Sequence, residues 1–207
     1  MSFWEGKTMN VLRKITNIVL LNILWLISAL PIVTAGVATL SMYGVIRNWF
    51  WYDDPSVVRN FFRQFKRHFK QGMTTVLCWF MIGALLIWDF IYFLSIPSSV
   101  KIIFISLTSF AFVLYLMVSA YLFIMMVHHH VSGMKAIKKA FIYAFLNVKT
   151  TIAIILMYSV LALLFFFSVF IMLMAVVPII MITYKFALLS FQNHLEKEEQ
   201  LLLPFSK

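Results

Sequence analysis

Long apolar runs alternating with short clusters of lysine and arginine are the feature that most limits what this chain can fold into. Residues 15–30, 73–95, 102–127 and 150–177 are almost free of charge, and about 18 apolar residues are enough to cross the hydrocarbon core of a bilayer. A water-soluble fold has no place for so many such runs. The chain is 63% hydrophobic and 12% charged, about half the charged share of soluble domains. In lipid each segment must satisfy its own backbone polar groups, so runs of this length read as helices. The expectation is a single integral membrane domain over residues 1–207, an all-α polytopic bundle of about five to six membrane segments.

The excess of 17 Lys and Arg over 7 Asp and Glu would suit nucleic acid if it were spread over a surface. It is concentrated instead. Lys7, Arg13 and Lys14 form one cluster, Arg47, Arg59, Arg63, Lys66, Arg67 and Lys70 a second, and Lys135, Lys138, Lys139 and Lys149 a third. The positive-inside bias places all three on the cytoplasmic side, so the chain must leave and return between them, and no nucleic-acid partner is implied. A signal-peptide reading of residues 1–36, with Val33-Thr34-Ala35 as the cleavage site, is disfavoured because further membrane segments follow.

Pro31, Pro97 and Pro178 each separate two apolar stretches far from the basic clusters. They read as outer turns of three hairpins, with return legs at 37–48, 101–127 and 179–192 and both termini cytoplasmic. The first and third return legs are short for a perpendicular span, and a re-entrant segment near Thr34-Ala35-Gly36 is the alternative. Hairpins two and three each begin with a basic amphipathic stretch. In 57–71, Val58, Phe61, Phe62, Phe65 and Phe69 recur at helical spacing beside Arg59, Arg63, Lys66, Arg67 and Lys70; in 134–148, Ile137, Phe141, Ala144, Phe145 and Val148 accompany Lys135, Lys138 and Lys139. Such helices lie in the headgroup plane, phenylalanines down and cations toward anionic lipid; docking on a cytoplasmic partner is the other reading. Residues 57–127 and 134–192 then form a degenerate tandem repeat.

Ionisable residues inside a membrane are the default place to look for function. Asp89 lies eight residues before Pro97, Lys185 seven after Pro178 and Asn22 nine before Pro31. Asp89 and Lys185 would sit about 10 to 12 Å below an outer turn at 1.5 Å per residue, and Asn22 falls in the same layer. These three residues form a candidate polar layer in which Asp89 faces Lys185. In the competing reading Asp89 lines an outer mouth and Lys185 snorkels to an interface.

No enzyme motif accompanies that layer. The run His128-His129-His130 fits a polar cap better than a metal site, since successive helical side chains point about 100° apart. No carboxylate or cysteine stands beside it, and Cys78, the single cysteine, lies in an apolar run. There is no Gly-rich phosphate loop, Gly-x-Ser-x-Gly elbow or His-Glu-x-x-His helix. Asp53 and Asp54 sit in a turn before Pro55, and Glu196, Glu198 and Glu199 belong to a charged tail. The expectation is a non-enzyme without cofactor or metal.

The segment Asn22-Ile23-Leu24-Trp25 through Ala29-Leu30-Pro31-Ile32-Val33-Thr34-Ala35-Gly36-Val37-Ala38-Thr39, followed by Phe61-Phe62-Arg63-Gln64-Phe65-Lys66-Arg67-His68-Phe69-Lys70-Gln71-Gly72, resembles the YesL family of bacterial membrane proteins. The resemblance implies a small bacterial inner-membrane protein of a kind often encoded beside carbohydrate uptake and polysaccharide-degradation systems, and it brings no catalytic or ligand residues. Two functions stay open: an accessory or component of oligosaccharide uptake whose cationic helices meet transporter subunits, and an autonomous small-solute carrier or channel. A membrane scaffold is a third reading.

Overall fold

The computed structural model describes residues 2–52, 56–97, 100–129, 131 and 133–202. Helices α1 (Ser2–Ala29), α2 (Ile32–Tyr52), α3 (Val57–Leu94), α4 (Lys101–His128), α5 (Met134–Leu146), α6 (Val148–Phe167) and α7 (Val169–Leu202) make up the fold, and there is no strand among the described residues. Helices α1 and α2, α3 and α4, and α6 and α7 pack as successive hairpins. The chain is therefore an all-α polytopic bundle. Four stretches, Thr8–Ala29, Gly72–Leu94, Lys101–His128 and Met174–Gln192, are long and apolar enough to cross a membrane; Met134–Leu146 with Val148–Leu164 makes a fifth if that bent pair is one span. The outer surface is correspondingly apolar, with Met81, Leu85, Trp88, Ile102, Ile103 and Leu107 all exposed, a patch that a monomer in water would not tolerate.

Helix α2 is the centre of the bundle. Val37, Ala38, Leu40, Ser41, Met42, Val45 and Ile46 are fully buried, and α1, α3, α4 and α7 all pack against it. It is not among the four stretches above and carries Arg47 and Asn48 near one end, yet its 21 residues reach about 32 Å at 1.5 Å per residue. The return leg expected at 37–48 is thus part of one continuous helix, with Thr34-Ala35-Gly36 near its start.

The turn before α2 is built by the sequence around it. Pro31 has no N–H to continue α1 and suits the start of the next helix. The Thr34 hydroxyl ties the two helices together through the carbonyls of Ser28 (2.7 Å) and Pro31 (2.9 Å). Five residues on, Gly36 lets α3 approach so closely that a Cβ there would overlap the Val76 side chain. Gly72 lies beneath Leu40, and Gly44 under Gln64, where a Cβ would come to 2.7 Å of a side-chain carbon in each case. These three contacts form an antiparallel glycine ladder, the small-residue packing that joins helices where burial in lipid supplies no hydrophobic drive.

Four expectations need correction. Pro178 is not a turn: it lies inside α7, and the chain reverses ten residues earlier at the extended Ser168. The segment 57–71 is not a separate helix lying in the membrane plane. It is the first half of the uninterrupted 38-residue α3, about 57 Å long, because nothing near Gly72 breaks the helix. The 134–148 segment does form its own helix, but it ends at Leu146 and α6 begins at Val148, bent by 108°. Finally, the Pro31 and Pro97 turns are not level. Gly36 meets Val76, so Pro31 falls about 8 Å beyond that contact and Pro97 about 32 Å beyond it, and the α3–α4 hairpin extends well past the first turn.

Candidate functional site

The proposed polar layer does not assemble. Asp89 on α3 and Lys185 on α7 are both exposed, and α3 and α7 share no contact among the described residues. The hairpin geometry that would have paired them relied on Pro178 as a turn, and that turn is absent. Asn22 is buried, 3% exposed, but it serves the backbone. Its Oδ1 accepts the Val177 N–H at 3.3 Å, the amide directly before Pro178. The bond ties α1 to α7 at the residue before the proline, but it does not replace the rung that Pro178 removes: a helical proline frees a carbonyl, and the Asn22 oxygen is itself an acceptor, while its Nδ2 has no partner among the described residues.

The buried polar groups gather at the end of the bundle where the basic clusters lie, here the basic end. Along the face of α3 that meets α2, Asn60, Gln64 and His68 are all buried. Every fourth position continues the stripe through Gly72 to Val76, so a small or polar i, i+4 series was the signal that phenylalanine counting missed. On α2, Arg47 donates to the Val127 carbonyl at 2.7 Å and to Asn48 Oδ1 at 3.4 Å. Val127 stands in the last turn of α4, where carbonyls lack intrahelical partners and the helix dipole attracts a cation. Two further pairs cross the core: the Tyr43 and Tyr158 hydroxyls at 2.5 Å, and the Tyr184 hydroxyl with His128 Nδ1 at 3.3 Å. Neither pairing is readable in the sequence, since partners 115 and 56 residues apart leave no local pattern.

The first half of α3 presents three faces. Val57, Asn60, Phe61, Gln64 and His68 look into the bundle. Val58, Phe62 and Phe69 are exposed and Phe65 is half-buried, forming an aromatic stripe, while Arg59, Arg63, Lys66, Arg67 and Lys70 are exposed on the remaining side. Phe61 departs from the expected lipid face because it lies in the core. The Arg63 guanidinium bonds Asn60 Oδ1. Phe62, Phe65, Lys66, Arg67, Phe69 and Lys70 line an open groove of about 710 Å³.

In α5, Ala136, Ala140 and Ala144 are buried as the helix packs on α4. Lys135, Lys138, Phe141, Ile142 and Phe145 face outward, and Lys139 is half-buried. The helix starts at Gly133, whose φ of 61° and ψ of −144° favour glycine and whose N–H bonds Thr75 Oγ1 at 2.9 Å. This ties the beginning of α5 to α3 near the start of its apolar stretch.

His128 and His129, at the end of α4, pack among aromatic rings. Their rings meet edge to face at 5.0 Å, His129 stacks on Tyr143 at 6.3 Å, and Phe191 packs against both. Burial and the nearby Lys139 push the His129 imidazole below its ordinary pKa of 6.5. No group of three or more metal-ligating side chains occurs among the described residues; His130 lies outside them. Cys78 is exposed.

No curated protein and no solved structure matches the chain. Residues 18–90, 73 of the 207, match the family model described as Protein of unknown function, DUF624. That stretch contains the Pro31 turn, the glycine ladder and the cationic half of α3, and the match agrees with the resemblance carried by the same residues.

Proposed function

We propose that the protein is a non-enzymatic, multi-pass component of the bacterial cell membrane that assists carbohydrate uptake or utilisation by presenting a fixed cationic surface to a cytoplasmic transporter subunit. The observation that carries this reading is the continuity of α3. A helix wedged along α2 by Gly36, Gly44 and Gly72 holds Arg59 and Arg63 at a set position beyond the apolar stretch that begins at Gly72. Long charged side chains on a rigid support are suited to recognising an acidic protein surface. Positive charge at the basic end supports a cytoplasmic location for that surface and for both termini. The carbohydrate context rests on the family resemblance.

The carrier reading draws less support, because Asn22 bonds to the α7 backbone and Asp89 and Lys185 lie on helices that do not touch. Growth and uptake by a deletion strain across a panel of oligosaccharides test the proposal, together with photo-crosslinks from positions 59 and 63. A defect restored by the intact gene, and crosslinks to a transporter subunit, are expected. Normal growth on every sugar would overturn the carbohydrate assignment, and solute flux in liposomes holding this protein alone would favour the carrier.

A further inference from the structure

We propose that the groove on α3 receives an acidic amphipathic helix of a cytoplasmic protein, packed lengthwise along α3 with its apolar residues on the phenylalanines and its carboxylates against Lys66 and Lys70. The inference rests on the partner reading above and names what that reading leaves open, the shape and chemistry of the segment that docks.

The groove has the form of a helix-packing surface. All six lining residues belong to α3, and five of them fall into two adjacent i, i+4 rows, Phe65 with Phe69 and Phe62 with Lys66 and Lys70. The furrow between two such rows is what a ridge of a second helix packs into. One row is set before any partner arrives: Phe61, buried in the core, stacks on Phe65 at 6.2 Å, and Phe65 meets Phe69 at 5.7 Å. A surface already ordered in this way lowers the entropy cost of binding. From Phe61 to Lys70 the rows run about 14 Å, so about three turns of a partner helix cover them.

Depth and charge select a protein helix over a lipid. Phe62 and Phe65 precede Gly72, where the apolar stretch of α3 begins, by about 15 and 10 Å at 1.5 Å per residue. The headgroup layer is about 5 to 8 Å thick, so these rings stand beyond it, on the far side of Lys66 and Lys70 from the hydrocarbon. Phe62 is nonetheless 49% exposed, and exposed aromatic surface rimmed by charge marks a protein contact. That rim carries one sign only, since α3 has no Asp or Glu from Val57 to Trp88. Because the lysines lie nearer Gly72 than Phe62 does, the docking helix must place its carboxylates at the membrane-proximal end of the contact and an apolar side chain at the distal end.

The test uses the full chain in phosphatidylcholine nanodiscs and a fluorescent synthetic helix of about five turns, with leucines along one face and glutamates beside them, read by anisotropy against empty nanodiscs. Saturation at one peptide per chain is expected. Lys66→Glu/Lys70→Glu should bind it at least about tenfold more weakly and should instead bind a peptide whose glutamates are replaced by lysines. Phe62→Ser keeps every charge and should also weaken binding about tenfold, and matched melting curves for both variants exclude misfolding. Equal binding of a peptide with leucines and glutamates scrambled, or an unaffected Phe62→Ser, overturns the inference; crosslinks from positions 59 and 63 to a transporter subunit would then leave the partner reading standing. Selective peptide binding without such crosslinks would support the groove assignment and count against the transporter subunit. Displacement of the peptide by phosphatidylglycerol would return the groove to lipid, and binding that emerges only in Glu196→Gln/Glu198→Gln/Glu199→Gln would assign it to the chain's own tail; either result overturns the inference.

Discussion

Replacing Gly36 by alanine tests whether the α2–α3 ladder holds the bundle together. A Cβ at position 36 overlaps Val76 and comes within 2.9 Å of its Cβ. Valine in a helix has one strongly preferred rotamer, so Val76 cannot swing aside and the two helices must separate. Overpacking of this kind costs about 1–3 kcal/mol. Alanine returns about 1 kcal/mol of helix propensity, leaving a net loss of about 0–2 kcal/mol. Val76→Ala alone gives up packing without a hydrophobic transfer term, because lipid tails are as apolar as the side chain, and should cost about 1 kcal/mol. In the double variant the methyl introduced at position 36 occupies the vacated space, so Gly36→Ala should become neutral or stabilising there. The coupling of at least about 1 kcal/mol exceeds the roughly 0.5 kcal/mol scatter of independent sites. Reversible unfolding in mixed micelles, followed by circular dichroism, measures all four corners of the cycle. Simple addition of the two effects in the double variant would refute the reasoning.

Asn22→Leu should destabilise the chain by about 1 kcal/mol and speed hydrogen exchange at the Val177 amide; Pro178→Ala, which restores only the rung of its own N–H, should leave that loss unchanged. Tyr43→Phe and Tyr158→Phe should each cost about 1–2 kcal/mol by stranding the partner hydroxyl, while the double variant should cost less than their sum, and a melting series in one detergent distinguishes these outcomes. For His129, folding lowers the pKa below 6.5 through burial and Lys139. The unfolded chain therefore binds a proton first on acidification, so stability is complete above about pH 6.5 and falls as pH drops below it. Melting temperatures between about pH 7.5 and 5 should fall less in His129→Gln than in the wild type.

The parts of the fold that were legible in the sequence are those fixed by local composition. Pro31 and Pro97 interrupt apolar runs and do stand at turns, and the alternation of apolar and basic segments gives the helices and their order. Pro178 misled because its context was judged by the same rule. Helix α7 runs through it while packing on α1, α2, α4 and α6, and no window around the proline contains those contacts. The boundary expected near residue 72 failed for a related reason. Charge density changes abruptly there, but Gly72 is needed for the approach of Leu40 and a single glycine does not end a helix. At the candidate site, the cations of 57–71 were visible as a group, whereas their division into a cationic side and an aromatic side required knowing which face α2 covers. Asp89 and Lys185 were matched by depth alone, and depth does not say which helices are neighbours.

The central position of α2 bears on how the protein is made. Its sequence, with Asn48 and Arg47 near one end and several small and hydroxyl-bearing residues, offers a translocon little incentive to release it sideways into lipid. Its native solvent is the other helices, and the α3 face that fits the glycine ladder is synthesised only after it. Stable integration of α2 is therefore expected to wait for α3, and a chain truncated at Tyr52 should leave α2 without the face it packs against.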